Sequence, residues 1–166
     1  MRDASNSREL VEKVKKETGL NIEVISGDQE ASIVHDTHIA ENMDREHGYL
    51  YINVGGGSTD VIFYADGRMR YKKSFDVGTI RVFKNQINDH LWNKIKADLK
   101  THIKSPLPLV AIGSGGNINK LFSLSKKKEG KPLSLELLKE YYEVFLHLSI
   151  EERMHYYSMR EDRAVV

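Results

Sequence analysis

The sequence predicts an α/β protein in which an antiparallel strand meander is joined by one further strand and flanked by helices. Three observations carry this prediction. Between Tyr49 and Phe75 the chain is β-branched and aromatic, broken only at Gly55-Gly56-Gly57-Ser58-Thr59 and at Ala65-Asp66-Gly67-Arg68, the latter an Asp-Gly hairpin signal. From Thr79 to about Ile103, apolar side chains recur close to a 3.6-residue period. Leu109-Val110-Ala111-Ile112 is a short apolar run that ends in Gly113-Ser114-Gly115-Gly116 and leads into another helical pattern.

The elements follow in order. Asn6-Ser7-Arg8-Glu9 has the spacing of a helix start, Leu10, Val11 and Val14 give that helix an apolar stripe, and Gly19 stops it. Ile22-Glu23-Val24-Ile25 alternates and is β-branched, which predicts a short strand. Ser26-Gly27-Asp28-Gln29 is a second capping box, opening a helix through Glu30, Ala31, Ile33, Val34 and Thr37 that ends before Gly48. Tyr49 to Val54 is apolar enough for a central strand. Asp60 to Tyr64 forms the next, and Met69 to Phe75 the third. The helical region from Thr79 breaks near residues 88–90, and Ser105-Pro106-Leu107-Pro108 links it to the apolar run at Leu109, expected to be a buried strand. Asn117 opens the next helix, toward Leu121 and Phe122. After a polar loop from Lys126 to Pro132, Ser134 caps a helix bearing Leu138, Tyr141, Tyr142, Phe145 and Leu148. Ser149-Ile150-Glu151-Glu152 is a further capping box, for a helix running to about Tyr157.

Composition narrows the functional classes. Lys plus Arg number 25 and Asp plus Glu 24 in 166 residues, a net charge of +1 that lacks the basic excess of a general nucleic-acid binder, so no nucleic-acid partner is expected. There are no cysteines, which excludes disulfide frameworks, thiolate metal sites and cysteine nucleophiles. No apolar run approaches the roughly 20 residues of a membrane helix, and Met1 to Asn6 lacks the apolar stretch of a signal peptide. The expectation is a cytoplasmic protein without a membrane partner.

The strongest chemical signal is Asn53-Val54-Gly55-Gly56-Gly57-Ser58-Thr59-Asp60. Three glycines between hairpin strands let backbone N–H groups approach a ligand, Ser58 and Thr59 add hydroxyls, and such a turn suits a phosphate or a metal-bound phosphate. The second glycine turn, Gly113 to Asn117, joins a strand to a helix N-terminus, the setting in which anions bind, but it lacks the Lys of a Walker loop and the spacing of a dinucleotide fingerprint. Glu30 stands in the first turn of its helix, where a carboxylate also suits the helix dipole alone. His35 and His38, three residues apart, read more readily as surface residues than as a metal pair.

On residues 53–60 the chain resembles the exopolyphosphatase/guanosine pentaphosphate phosphohydrolase (Ppx/GppA) family, bacterial hydrolases of the actin-like, sugar kinase and heat-shock ATPase superfamily with a ribonuclease-H-like core. Further segments fit in the same order. Arg2 to Asn6 resembles the family's R-x-A-x-N segment, Ile25 to Ala31 its I-S-G-x-E-E-A motif, and Ser74 to Arg81 its S-x-x-x-G-x-x-R motif. Ile112 to Leu121 resembles its glycine-rich segment, and Glu161-Asp162-Arg163-Ala164 the start of its E-R-A-D-(V/I) motif. The resemblance implies that the meander is completed by a parallel strand. It also implies that residues 1–20 end a preceding lobe or linking helix, and that residues 21–166 form a second ribonuclease-H-like lobe cut at its C-terminus. The first lobe of the same chain, with its D-x-G-(S/T)-N loop, would then lie before Arg2.

The resemblance also implies roles. Glu30 would act on the attacking water; Gly55, Gly56, Gly57, Ser58, Thr59 and Gly115 would cradle phosphate; and Arg2 would offer a bidentate phosphate contact. Asp60 and Asn53 would hold Mg²⁺ or Mn²⁺. The family has Asp where this chain has Asn53, Glu at Asp60, Glu at Gln29 and Arg at Ser32. A neutral amide at position 53 weakens the metal site, and Ser32 removes a phosphate-facing cation. The implied activity is release of terminal phosphate from polyphosphate or guanosine pentaphosphate, by a parent that is a homodimer, with the 166-residue chain inactive alone. The alternative is a phosphate- or nucleotide-binding regulatory relative whose site has decayed at Asn53 and Ser32; an acetate- or sugar-kinase-like phosphotransferase is a weaker third.

Overall fold

The computed structural model describes residues 5–26, 29 and 43–165. The chain divides into two compact units, Met1–Asp44 and Arg45–Val166.

In the first unit, α1 spans Ser7–Thr18, with Glu9 in its first turn and Lys15 and Lys16 in its last, as the helix dipole favours. Gly19 closes it in the left-handed conformation, its N–H donating to the Lys15 carbonyl. The expected side-chain cap does not form. Asn6 has ψ 15°, and without the extended backbone of a capping residue its side chain makes no cap hydrogen bond. Ile22 to Ile25 is not a strand. Its β-branched composition finds no ladder partner among the described residues, and β propensity is expressed only where a neighbour pairs. The capping box at Ser26 does form: the Ser26 N–H donates to Gln29 Oε1 at 2.8 Å, and the Gln29 N–H to Ser26 Oγ at 3.2 Å. The body of the helix expected beyond it, with Glu30, Ser32, His35 and His38, lies outside the described residues.

The second unit is built on a four-stranded sheet of order β3-β2-β1-β4, with β1 Gly48–Val54, β2 Thr59–Ala65, β3 Arg68–Phe75 and β4 Leu109–Ser114. The first three form the antiparallel meander, and β4 runs parallel to β1. Asp66 and Gly67 take φ of 55° and 67°, the pair of positive values that a two-residue hairpin turn requires. β2, flanked on both sides, is the most buried strand; Val61, Ile62, Phe63 and Tyr64 are each no more than 6% exposed. β4, expected to be buried, is an edge strand among the described residues: it pairs there on one side only, with Leu109 50% and Val110 38% exposed.

Two helices follow the meander, α2 Thr79–Phe83 and α3 Asp89–His102, separated where a break was expected. Asn88 caps α3, accepting from the Leu91 N–H at 2.9 Å. Ile95 of α3 packs with Val61, Phe75 and Val77, and Leu50, Ile87, Leu91 and Leu99 surround them. At the outer edge of this cluster Tyr71 donates to Asp98 Oδ2, Lys73 Nζ donates to Asp98 Oδ1 at 3.0 Å, and the His102 ring stacks on Tyr71. The Tyr71 bond and then the lysine hold the Asp98 carboxyl below the usual carboxylate range, while burial, then Asp98, pushes the Tyr71 hydroxyl up.

The remaining helices are α4 Gly116–Leu124, α5 Leu135–Leu146, α6 Ile150–Tyr157 and α7 Glu161–Ala164. Ser134 caps α5, and Ser149 with Glu152 makes the complete capping box of α6. Phe145, Met159 and Ala164 form a second core, with Leu121, Leu124, Tyr141 and Tyr157 against it. Arg153 ties α7 to α5: its Nε donates to the Phe145 carbonyl at 2.9 Å and a terminal nitrogen donates to the Ala164 carbonyl at 2.6 Å.

Candidate functional site

The first glycine turn joins β1 to β2 and is closed by the Gly55 N–H donating to the Ser58 carbonyl at 2.9 Å. Its other carbonyls face α2. The Thr79 N–H donates to the Gly55 carbonyl at 3.0 Å, the Ile80 N–H to Gly56 at 2.9 Å, and Arg81 Nε to Gly57 at 2.8 Å. Helix N-terminal N–H groups that would otherwise lack partners thus hold the turn in place. Gly78 makes the approach possible: a Cβ there would lie 2.4 Å from the Gly56 oxygen and 2.7 Å from the Gly57 carbon. The S-x-x-x-G-x-x-R pattern therefore has a physical basis in Gly78 and Arg81, which seat the turn. Among the described residues, the Gly56 and Gly57 N–H groups donate to no backbone carbonyl. With carbonyls bound on one side and N–H groups uncommitted on the other, the turn has the polarity of an anion nest.

One polar row crosses the sheet. Ser74 of β3 is the register partner of Asp60 of β2, Asp60 of Asn53 of β1, and Asn53 of Ser114 of β4. Ser114 Oγ donates to Asn53 Oδ1 at 3.0 Å. Asp60 is 4% exposed, and its Oδ1 has no hydrogen-bond partner among the described residues. A buried carboxylate oxygen in that position suits a hard cation. Asn53 retains a second lone pair on the oxygen that Ser114 engages. No group of three or more His, Asp or Glu residues able to hold a metal exists among the described residues. The donor set thus fits one hard cation held by a single carboxylate, with Asn53 beside it.

Thr59 is engaged within the fold. Its hydroxyl donates to the Val77 carbonyl at 2.6 Å, so its only proton is committed to holding the end of β3 to the start of β2.

The second glycine turn completes a cleft. Gly115 has φ +108°, and a Cβ on it would meet the Val54 oxygen at 2.4 Å, so both torsion and space demand glycine. It brings the start of α4 against the end of β1. The resulting cleft, of about 270 Å³, is lined by Asn53, Gly55, Gly56, Thr79, Gly115 and Arg163, with the neighbouring residues of each turn. Gly57, Ser58, Thr59 and Asp60 do not line it. Arg163 comes from α7, which lies against α2, and its guanidinium would be 2.9 Å from a Cβ on Gly116. The sequence marked this arginine only as part of a segment with no role; nothing in local spacing points from residue 163 to residue 55. Arg2 and Glu30 lie outside the described residues.

An α/β lobe thus sets two glycine turns against one cleft, one turn seated by a helix N-terminus and the other beginning one. The chain belongs to the Ppx/GppA phosphatase family, which matches over residues 1–166. A crystal structure of an exopolyphosphatase from Cytophaga hutchinsonii superposes with a TM-score of 0.79 at 24% identity, covering 99% of this chain and 60% of that one. A structure of the Aquifex aeolicus PPX-GPPA enzyme gives a TM-score of 0.71 at 22% identity, with 99% and 60% covered. A bifunctional 3-dehydroquinate synthase/phosphatase of Fusobacterium nucleatum is 30% identical over 142 residues, 77% of this chain and 21% of that protein. The chain therefore spans about 60% of the solved structures it matches and a fifth of the curated relative. Among the described residues no helix is long and apolar enough to cross a membrane.

Proposed function

We propose that this chain is the nucleotide- or polyphosphate-facing part of a phosphoanhydride hydrolase that releases terminal phosphate from polyphosphate or guanosine pentaphosphate. The observation that carries the reading is the seated glycine turn. Its carbonyls are bound by α2 and Arg81, and its Gly56 lines a cleft that Gly115 and Arg163 also line.

In this reading Gly56 and the N-terminus of α4 bind oxygens of the transferred phosphoryl group, and the Arg163 guanidinium grips a neighbouring phosphate. Glu30 orients the attacking water and accepts its proton, and Arg2 adds a bidentate phosphate contact. Asp60, with Asn53 as a weak partner, would hold Mg²⁺ or Mn²⁺; the ion, when bound, spreads the charge of the transferred phosphoryl group. Acting alone, the 166-residue chain binds phosphate without turnover.

The test is phosphate release by the full-length protein in the presence of Mg²⁺. Release from polyphosphate or guanosine pentaphosphate, abolished in Glu30→Gln, supports the proposal. No release from either substrate overturns it. The second reading, a binding protein without turnover, is favoured by the Ser114–Asn53 hydrogen bond, which stabilises a neutral amide where the family has a carboxylate. It predicts tight phosphate binding and no release in the same assay.

A further inference from the structure

The cleft between the two glycine turns is bordered by hydrogen-bond donors. Among the described residues no aspartate or glutamate lines it, and its polar side chains are those of Asn53, Thr79, Asn117 and Arg163. Asp60, the carboxylate that could hold a cation, is the register partner of Asn53 but stands outside the lining. Arg163 brings a permanent positive charge. Gly116 and Asn117 open α4, where the first N–H groups have no carbonyl of their own helix to bind.

Two side-chain amides add to these donors. Asn117 Nδ2 is buried without a hydrogen-bond partner among the described residues, a donor that folding leaves uncompensated. Asn53 is oriented by Ser114, whose hydroxyl donates to Asn53 Oδ1 at 3.0 Å and which does not itself line the cleft. Among the described residues Asn53 makes this one side-chain hydrogen bond, through its oxygen, and both Nδ2 protons stay uncommitted.

We infer that this cleft grips its anion directly, without a divalent cation, with Asn53 and Asn117 donating through Nδ2 beside Arg163, and with Ser114 as the positioning residue that turns the Asn53 nitrogen toward the anion. The inference rests on the phosphate-binding reading above and deepens it by naming the form of the ligand, a phosphate anion free of metal. The physical reason is charge. A metal ion bridges an anion and a carboxylate, two groups that otherwise repel. In a cleft lined by no carboxylate the ion has nothing to bridge, and it would face Arg163. An amide nitrogen donates to a phosphate oxygen outright, and a hydrogen bond to an ionised acceptor is about twice as strong as a neutral one. A cation held at Asp60 is then separate from the grip on the anion.

The experiment is calorimetric titration of the chain with tripolyphosphate, once in buffer stripped of divalent cations by a chelating resin and once in excess Mg²⁺. Binding without metal is expected to be at least as tight as binding in Mg²⁺. Asn53→Asp puts a like charge in place of a donor; it is expected to weaken metal-free binding by about tenfold or more and to reverse the order, with Mg²⁺ now favouring binding. Ser114→Ala keeps every residue that lines the cleft and frees the amide to turn. It is expected to weaken metal-free binding about threefold with the thermal melt unchanged. Tighter binding in Mg²⁺ than without it, in the unaltered chain, overturns the inference and leaves the phosphate reading standing. Metal-free binding that neither Asn53→Asp nor Ser114→Ala weakens also overturns it. If tripolyphosphate binds in neither buffer, the phosphate reading itself fails, and the inference with it.

Discussion

Ser114, the last residue of β4, gives its hydroxyl proton to the side-chain oxygen of Asn53, its register partner on β1. The bond fixes the amide. Register also sets Asn53 beside Asp60, whose own Oδ1 is buried without a partner among the described residues. Under the proposed function, metal affinity would rest on this pair of side chains, which β-sheet register brings together.

Asn53→Asp is expected to raise Mg²⁺ affinity by on the order of tenfold, because it doubles the carboxylate charge at the site. Without metal the same substitution sets two carboxylates opposite each other across β1 and β2, and the melting temperature should fall. Added Mg²⁺ should restore it. Calorimetry and thermal melts with and without Mg²⁺ measure both effects; unchanged Mg²⁺ affinity would refute a ligand role for position 53.

Gly78→Ala is expected to destabilise the protein by about 1–3 kcal/mol, since the added methyl overlaps the Gly56 carbonyl and the turn backbone must move. The torsion is not at issue: Gly78 has φ −151°, which any residue adopts. Urea denaturation gives the stability, and titration with tripolyphosphate gives the cleft. Loss in both is expected; a stable variant with unaltered binding would show that the glycine turn is not seated as described.

Arg163→Ala and Arg153→Ala separate grip from support. Arg163 makes no side-chain hydrogen bond among the described residues, so its removal should weaken tripolyphosphate binding about tenfold while changing stability little. Arg153 bonds two main-chain carbonyls, of Phe145 and Ala164, and its removal should cost about 1–3 kcal/mol and weaken binding only through the loosened α7. Equal effects of the two substitutions on both readouts would contradict this division.

Local chemistry was largely legible in the sequence. The Asp66-Gly67 turn, the Ser134 and Ser149 caps and the Ser26–Gln29 box follow from interactions within four residues, and all form as expected. The Asn6 cap, though local, does not form; the other misreadings arose where the outcome depends on a distant partner. Among the described residues, Ile22 to Ile25 has strand composition and no strand to pair with, and Leu109 to Ile112 is apolar yet lies at an edge. Thr59 belongs to a phosphate-like motif yet spends its proton on Val77.

By itself the sequence determined the family, the α/β class and both glycine turns, because each is written in contiguous residues. Tertiary structure alone decided that Gly78 and Arg81 seat the first turn, that Ser114 orients Asn53, and that Arg163 reaches the cleft. Those pairings join residues 24, 61 and more than 100 positions apart, and only strand register and helix packing bring such residues within hydrogen-bond range.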